Sequence, residues 1–121
     1  MNTSLITLYG IPNCDTVKKA RAWLSAQGLD YQFHDFKKQG VPEQQLDAWI
    51  KALGWEPLVN RRGTSWRRLD DATRADVMDA ASARALLLAQ ASVIKRPVVE
   101  WATGEVSVGF DAHAWQSRCG R

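Results

Sequence analysis

The chain has 121 residues, 45% of them hydrophobic and 24% charged, with a formal net charge of +3. That length can bury one core, and no apolar run approaches the ~18 residues that span a bilayer. The basic excess is small and interleaved with acids, which suits an anionic ligand better than nucleic acid. Two cysteines, Cys14 and Cys119, are too few for a disulfide scaffold. With no basic, apolar and small-residue leader at the start, a cytoplasmic protein with reduced thiols is expected.

Leu5 to Tyr9 is a short apolar, β-forming run, which predicts an interior strand. Gly10 and Pro12 punctuate its end. Asn13 is a candidate helix N-cap, and Val17, Ala20, Trp23 and Leu24 follow the rhythm of an apolar helix face. Gly28 stops that helix. Leu29 to Phe36 alternates apolar and polar residues, as a half-buried strand does. Strand, helix and strand make a right-handed parallel βαβ unit the economical arrangement.

Lys37 to Gly40 reads as a polar turn. Pro42 precedes a helix marked by Leu46, Trp49, Ile50 and Leu53 and closed by Gly54. After the break at Trp55-Glu56-Pro57, a loop from Leu58 to Thr64 carries Arg61 and Arg62. Thr64 or Ser65 could cap a short helix through Trp66 and Leu69. Further helices are expected over Thr73–Ala80 and Ser82–Ala91. No linker separates these segments, so about 40–91 reads as a helical insertion in one domain spanning 1–121. Val98 to Trp101 and Glu105 to Gly109, joined at Thr103-Gly104, predict an antiparallel hairpin, and Asp111 can cap a last helix through Ser117. The expected fold is α/β: a thioredoxin-like mixed sheet, a βαβ half plus a ββα half from about 4–39 and 92–117, with the helical insertion between them.

Cys14 follows a strand and a Gly/Pro turn and stands where a helix begins. A helix N-terminus offers unpaired N–H groups and positive dipole potential, which favour the thiolate. Lys18 and Lys19 add positive charge. Cys14 is therefore the candidate nucleophile, with Gly10 and Pro12 shaping its turn and Asn13 beside it as a candidate for holding an anion. Val17 stands where a dithiol motif would carry its second cysteine, so any redox cycle needs an external thiol such as glutathione, or Cys119. Arg96-Pro97 precedes a strand. In a thioredoxin-like fold Pro97 lies against the cysteine site, and the Arg96 guanidinium could grip a carboxylate or oxyanion. Arg61 and Arg62 are further candidates for an anionic partner, with Trp66 as a wall. His34 and His113 are isolated, and no metal site is expected.

Three stretches carry a resemblance: Tyr9-Gly10-Ile11-Pro12-Asn13-Cys14-Asp15-Thr16-Val17-Lys18-Lys19-Ala20, Asn60-Arg61-Arg62-Gly63-Thr64-Ser65-Trp66-Arg67-Arg68-Leu69, and Ile94-Lys95-Arg96-Pro97-Val98. With the order of elements, the chain resembles the bacterial ArsC/Spx/YffB family over its whole length, and within it the YffB-like branch. The resemblance implies a thioredoxin-like sheet with a helical insertion, and Cys14 as the nucleophile. Arsenate reductases of the family attack arsenate with such a cysteine and resolve the adduct with glutathione and glutaredoxin. They use three arginines. Arg96 matches one, while Asn60 and Gly109 stand where the others would be. The branch implies glutathione-dependent thiol reduction, with no tightly bound cofactor, glutathione as co-substrate and glutaredoxin as a candidate partner. Glutaredoxin-coupled arsenate reduction is one alternative. The other is a Spx-like regulator that binds RNA polymerase, although many Spx-like members carry a two-cysteine switch that Val17 excludes here.

Overall fold

β1 (Ile6–Gly10) is the strand on which the first of two compact units is built in the computed structural model, which describes residues 5–118. This unit comprises the stretch ending at Asp35 and the stretch beginning at Arg96; residues 36–95 form the second. β1 pairs in parallel with β2 (Tyr31–Asp35) and antiparallel with β3 (Val98–Glu100), which pairs antiparallel with β4 (Val106–Val108). The order β2-β1-β3-β4 is the mixed, thioredoxin-like sheet.

Strand alternation sends Ile6 and Leu8 to one face. There they meet Val17, Ala20 and Leu24 of α1 (Asp15–Ala26), together with Val99, Trp101 and Trp115. Burying each such aliphatic side chain contributes roughly 1.5–3 kcal/mol. The 3–4 residue spacing of Val17, Ala20 and Leu24 thus fixes which side of α1 faces the sheet.

Gly10 is required by this packing. A Cβ built there would come 2.7 Å from Val17 Cγ2, so only a bare backbone lets the start of α1 close on the end of β1. Gly10→Ala is expected to cost about 1–3 kcal/mol through overpacking. Because the clash is with Val17, adding Val17→Ala should cost less than the sum of the two single changes. A double-mutant cycle of urea midpoints checks this; strict additivity would show that Gly10 serves something other than this contact.

The hairpin turns at Gly104 (φ 94°), and the Trp101 N–H closes it on the Glu105 carbonyl at 2.8 Å. α7 (Ala112–Arg118) starts at Asp111, whose carboxylate accepts from the N–H groups of His113 (3.0 Å) and Ala114 (3.2 Å).

The second unit holds α2 (Phe36–Gln39), α3 (Glu43–Leu53), α4 (Thr64–Arg67), α5 (Asp71–Ala75) and α6 (Ala80–Ala89), with 3₁₀ turns at Glu56–Leu58 and Ala91–Val93. Three local expectations change. The Lys37–Gly40 turn is a helical turn begun by Phe36, which is buried with its ring 6.4 Å from that of Trp49 instead of extending the strand. Gly40 (φ 75°) closes it with an N–H bond to the Phe36 carbonyl. The helix expected over Thr73–Ala80 ends early, because Asp79 and Ser82 form a capping box that starts α6. Neither Thr64 nor Ser65 caps α4; Gly63 holds that position without a side-chain bond.

Candidate active site

Cys14 is the N-cap residue of α1. Its N–H reaches back to the Ile11 carbonyl (3.3 Å), and its own carbonyl accepts from Lys18 N–H (2.9 Å). This corrects the assignment of the cap to Asn13, which is exposed one residue earlier. The turn through Pro12 puts the backbone one residue further along before it becomes helical, so the thiol occupies the capping place.

The sulfur is half-buried against the core cluster of the first unit. Five influences act on its charge. Burial is the largest single one and pushes the thiol up. Against it work the Val17 N–H, the hydrogen bond and the charge of the Arg96 guanidinium, and the Thr16 N–H; together they prevail and hold the thiol below its ordinary value. The amide contacts fall short of a full capping hydrogen bond, but their dipoles favour the thiolate in the way a helix N-terminus does. Asp15 adjoins Cys14 in the first helical turn and is exposed.

Arg96 is positioned by the sheet. Val98 pairs with Tyr9, next to Gly10, so the chain just before β3 is brought to the end of β1 where the turn to Cys14 begins. The Arg96–Pro97 peptide is cis. Pro97 is fully buried, and its carbonyl accepts from Gly109 N–H at 2.8 Å, which ties the turn to the end of the hairpin. On the other face of the strands, the Tyr9 hydroxyl donates to Glu100 (2.8 Å), and its ring lies 4.9 Å from that of His34.

The structure thus brings together Cys14, Arg96, Pro97 and Gly10 within the first unit. Arg61 and Arg62 lie in the second, on a loop held from both ends. Asn60 N–H bonds the Val93 carbonyl (2.9 Å) beside a bridge between Val59 and Ile94, and Gly63 N–H closes on the Asn60 carbonyl (3.2 Å). The Arg61 guanidinium lies 5.7 Å from the ring centres of both Trp55 and Trp66. Cys119 lies outside the described residues. The helix N-terminal N–H groups expected at the thiol are those of Thr16 and Val17; sequence reasoning missed Trp55, whose only signal was its place beside the Gly54 turn. Among the described residues no cluster of three His, Cys, Asp or Glu side chains could hold a metal, and no helix is long and apolar enough to cross a membrane.

The family model described as the ArsC family matches residues 9–117. A solved structure named YFFB protein is 46% identical, with 93% of this chain and 96% of that one covered, at a TM-score of 0.86. An arsenate reductase (ArsC) related protein from Brucella melitensis is also 46% identical, with 100% and 99% covered and a TM-score of 0.75. The global transcriptional regulator Spx of Streptococcus pyogenes is 26% identical over 98 residues, 78% of this chain and 71% of that protein.

Proposed function

This chain belongs to the ArsC family, and from that premise we propose that it is a glutathione-dependent thiol–disulfide oxidoreductase working through Cys14 alone. The Cys14 thiolate attacks one sulfur of a disulfide formed between glutathione and a target. A bond forms between Cys14 and the glutathione sulfur, and the target leaves as its thiolate. A second glutathione thiolate then attacks the mixed disulfide. Cys14 returns as thiolate and oxidised glutathione departs: the disulfide bond passes from the target–glutathione pair to the two glutathiones, the target sulfur being reduced as the incoming glutathione sulfur is oxidised. Glutathione is a co-substrate, no tightly bound cofactor takes part, and glutaredoxin is a candidate partner. The chemistry fits the cytoplasm, where glutathione is kept reduced.

One observation carries this reading: a half-buried thiol at the start of α1 has Arg96 and two amides turned on its sulfur, which together outweigh its burial. Arg96 favours the thiolate, and Asn13 supplies an exposed amide beside the thiol.

The test is the pH dependence of Cys14 alkylation. A thiol held low exists as thiolate at lower pH, so the midpoint of the rate profile should lie on the acid side of that of a cysteine peptide measured alongside. Arg96→Gln removes a hydrogen bond and a charge that favour the thiolate, so its midpoint should move to higher pH and its reaction at neutral pH should slow. A wild-type midpoint at or above the peptide's would refute an activated nucleophile.

A further inference from the structure

Phe110 stands where the hairpin is tied to the thiol site. The Gly109 N–H donates to the Pro97 carbonyl at 2.8 Å. Pro97 is joined to Arg96, whose guanidinium bonds the Cys14 sulfur. Gly109 takes φ 84°, a left-handed conformation that glycine adopts freely, so the chain leaves the line of β4 here. Phe110 is the next residue and follows directly on the tie that holds the Arg96–Pro97 turn.

The Phe110 ring is oriented by Trp115, which it meets nearly edge-on, with ring centres 4.7 Å apart at 84°. It is nevertheless only partly buried. Cys14 and Phe110 are both half-buried groups at the margin of one cluster, the one built on Ile6, Leu8 and Val17. A ring that is held in place and left partly open is an anchor for an apolar group. Glutathione has no apolar side chain to offer such a ring, whereas a target can. Charge points the same way. Asp15 follows Cys14 and Asp111 follows Phe110, and both are exposed. The Asp111 carboxylate is kept in place by the N–H groups of His113 and Ala114. An acidic side chain beside a target cysteine would meet like charge here, and an apolar one would meet the ring.

We infer that Phe110 is a specificity-determining residue of the Cys14 site: its open ring surface takes the apolar side chain that flanks the target's cysteine, and so favours apolar over acidic targets. This rests on the reading of Cys14 as a thiol–disulfide exchange nucleophile.

The probes are capped tripeptides in which a cysteine is flanked on both sides by phenylalanine, alanine or glutamate, each carried as its mixed disulfide with glutathione. The full chain is mixed with one probe and no free glutathione. Cys14 then bonds to the glutathione sulfur, the sulfur–sulfur bond of the probe breaks, and the tripeptide leaves as its thiolate. Mass spectrometry follows the adduct and the released tripeptide. Each rate is divided by that of a free cysteine peptide with the same probe, which removes the reactivity of the probe itself. The phenylalanine probe should exchange about fivefold faster than the alanine probe, the size of one partly exposed aromatic contact, and the glutamate probe more slowly than either. Phe110→Ala should bring the phenylalanine-to-alanine ratio close to one, and Phe110→Leu, which keeps an apolar surface, should retain most of it. Loss of packing against Trp115 alone would change all rates together and leave the ratio as it was. A ratio of one in the wild type would overturn the inference, as would the same ratio in wild type and Phe110→Ala. A glutamate probe that exchanges fastest would overturn the preference for apolar targets. The ratio is read in the first exchange, before a second glutathione is needed. A Phe110-dependent ratio without turnover on adding glutathione leaves Phe110 assigned and removes the glutathione-dependent cycle; turnover without the ratio does the reverse. No exchange with any probe would overturn both.

Discussion

Cys14→Ser is expected to reduce turnover of a glutathionylated peptide to the uncatalysed background, a loss of at least about 10³-fold, while the protein stays folded. A serine hydroxyl at this place remains protonated. The favourable setting of Cys14 lowers a thiol that already ionises near neutral pH, but it cannot bring an alcohol into the same range. The alcohol is also a poor leaving group, so the second half of the cycle would fail even if the first occurred. The change is small in volume and falls at the edge of the core cluster, where Cys14 is only partly buried, so the urea midpoint should move little. The assay couples formation of oxidised glutathione to NADPH consumption. Cys119→Ser serves as the companion variant and should retain turnover within about twofold, because a monothiol cycle needs no resolving cysteine. Turnover by Cys14→Ser well above background would remove Cys14 from the mechanism. A Cys119→Ser enzyme that stalls as the Cys14–glutathione adduct would replace the monothiol cycle with an internal disulfide.

The nucleophile was legible because its determinants are local. Strand, turn and helix are written between Leu5 and Leu24, and their junction is where a thiol gains from a helix N-terminus. The parallel β1–β2 pair and the antiparallel β3–β4 hairpin were legible for the same reason: their runs are short, and one helix or one Gly-marked turn joins each pair. Arg96 was legible only through the fold, since it lies 82 positions along the chain from Cys14 and it is the pairing of Val98 with Tyr9 that turns it toward the site. The cap was misread at Asn13 because amide side chains are good caps, whereas helix phase is set by the buried face. Val17, Ala20 and Leu24 must meet the sheet, and counting back from them puts the first helical residue at Asp15 and the cap at Cys14. Val17, which rules out a dithiol motif, is also the residue that fills the space left by Gly10. The pairing of Arg61 with Trp55 was not legible, because it depends on how the loop after the 3₁₀ turn folds back and not on any spacing.

Trp115→Ala is expected to cost about 3–5 kcal/mol of stability, the range for emptying a large aromatic site. Trp115 is 2% exposed. Three rings meet it nearly edge-on: Trp23 of α1 at 5.6 Å, Trp101 after β3 at 4.9 Å and Phe110 before α7 at 4.7 Å, at angles of 80°, 88° and 84°. Edge-to-face pairs add roughly 0.5–1.5 kcal/mol each beyond the area they bury, so one truncation loses area, three ring contacts and the packing around the cavity. Collapse into the gap is limited, because the ring neighbours are held elsewhere. The Trp101 indole N–H donates to Ser107 at 2.8 Å, and the Arg118 guanidinium lies 5.5 Å from the centre of the Trp101 ring. Total stability for a domain is about 5–15 kcal/mol, so the variant should lose a large part of it, with a drop in Tm of roughly 10–20 °C. Trp115→Phe keeps one ring for its neighbours and should recover part of the loss. Below its melting temperature the alanine variant should still alkylate Cys14 with a midpoint on the acid side of the cysteine peptide's, because the Arg96 guanidinium and the Thr16 and Val17 amides that favour the thiolate are not among the rings removed. A cost under about 1 kcal/mol would show that α7 is anchored by something other than these rings. An alkylation midpoint that moved toward higher pH in the folded variant would show that Trp115, through Trp23, also holds the start of α1 in place for catalysis.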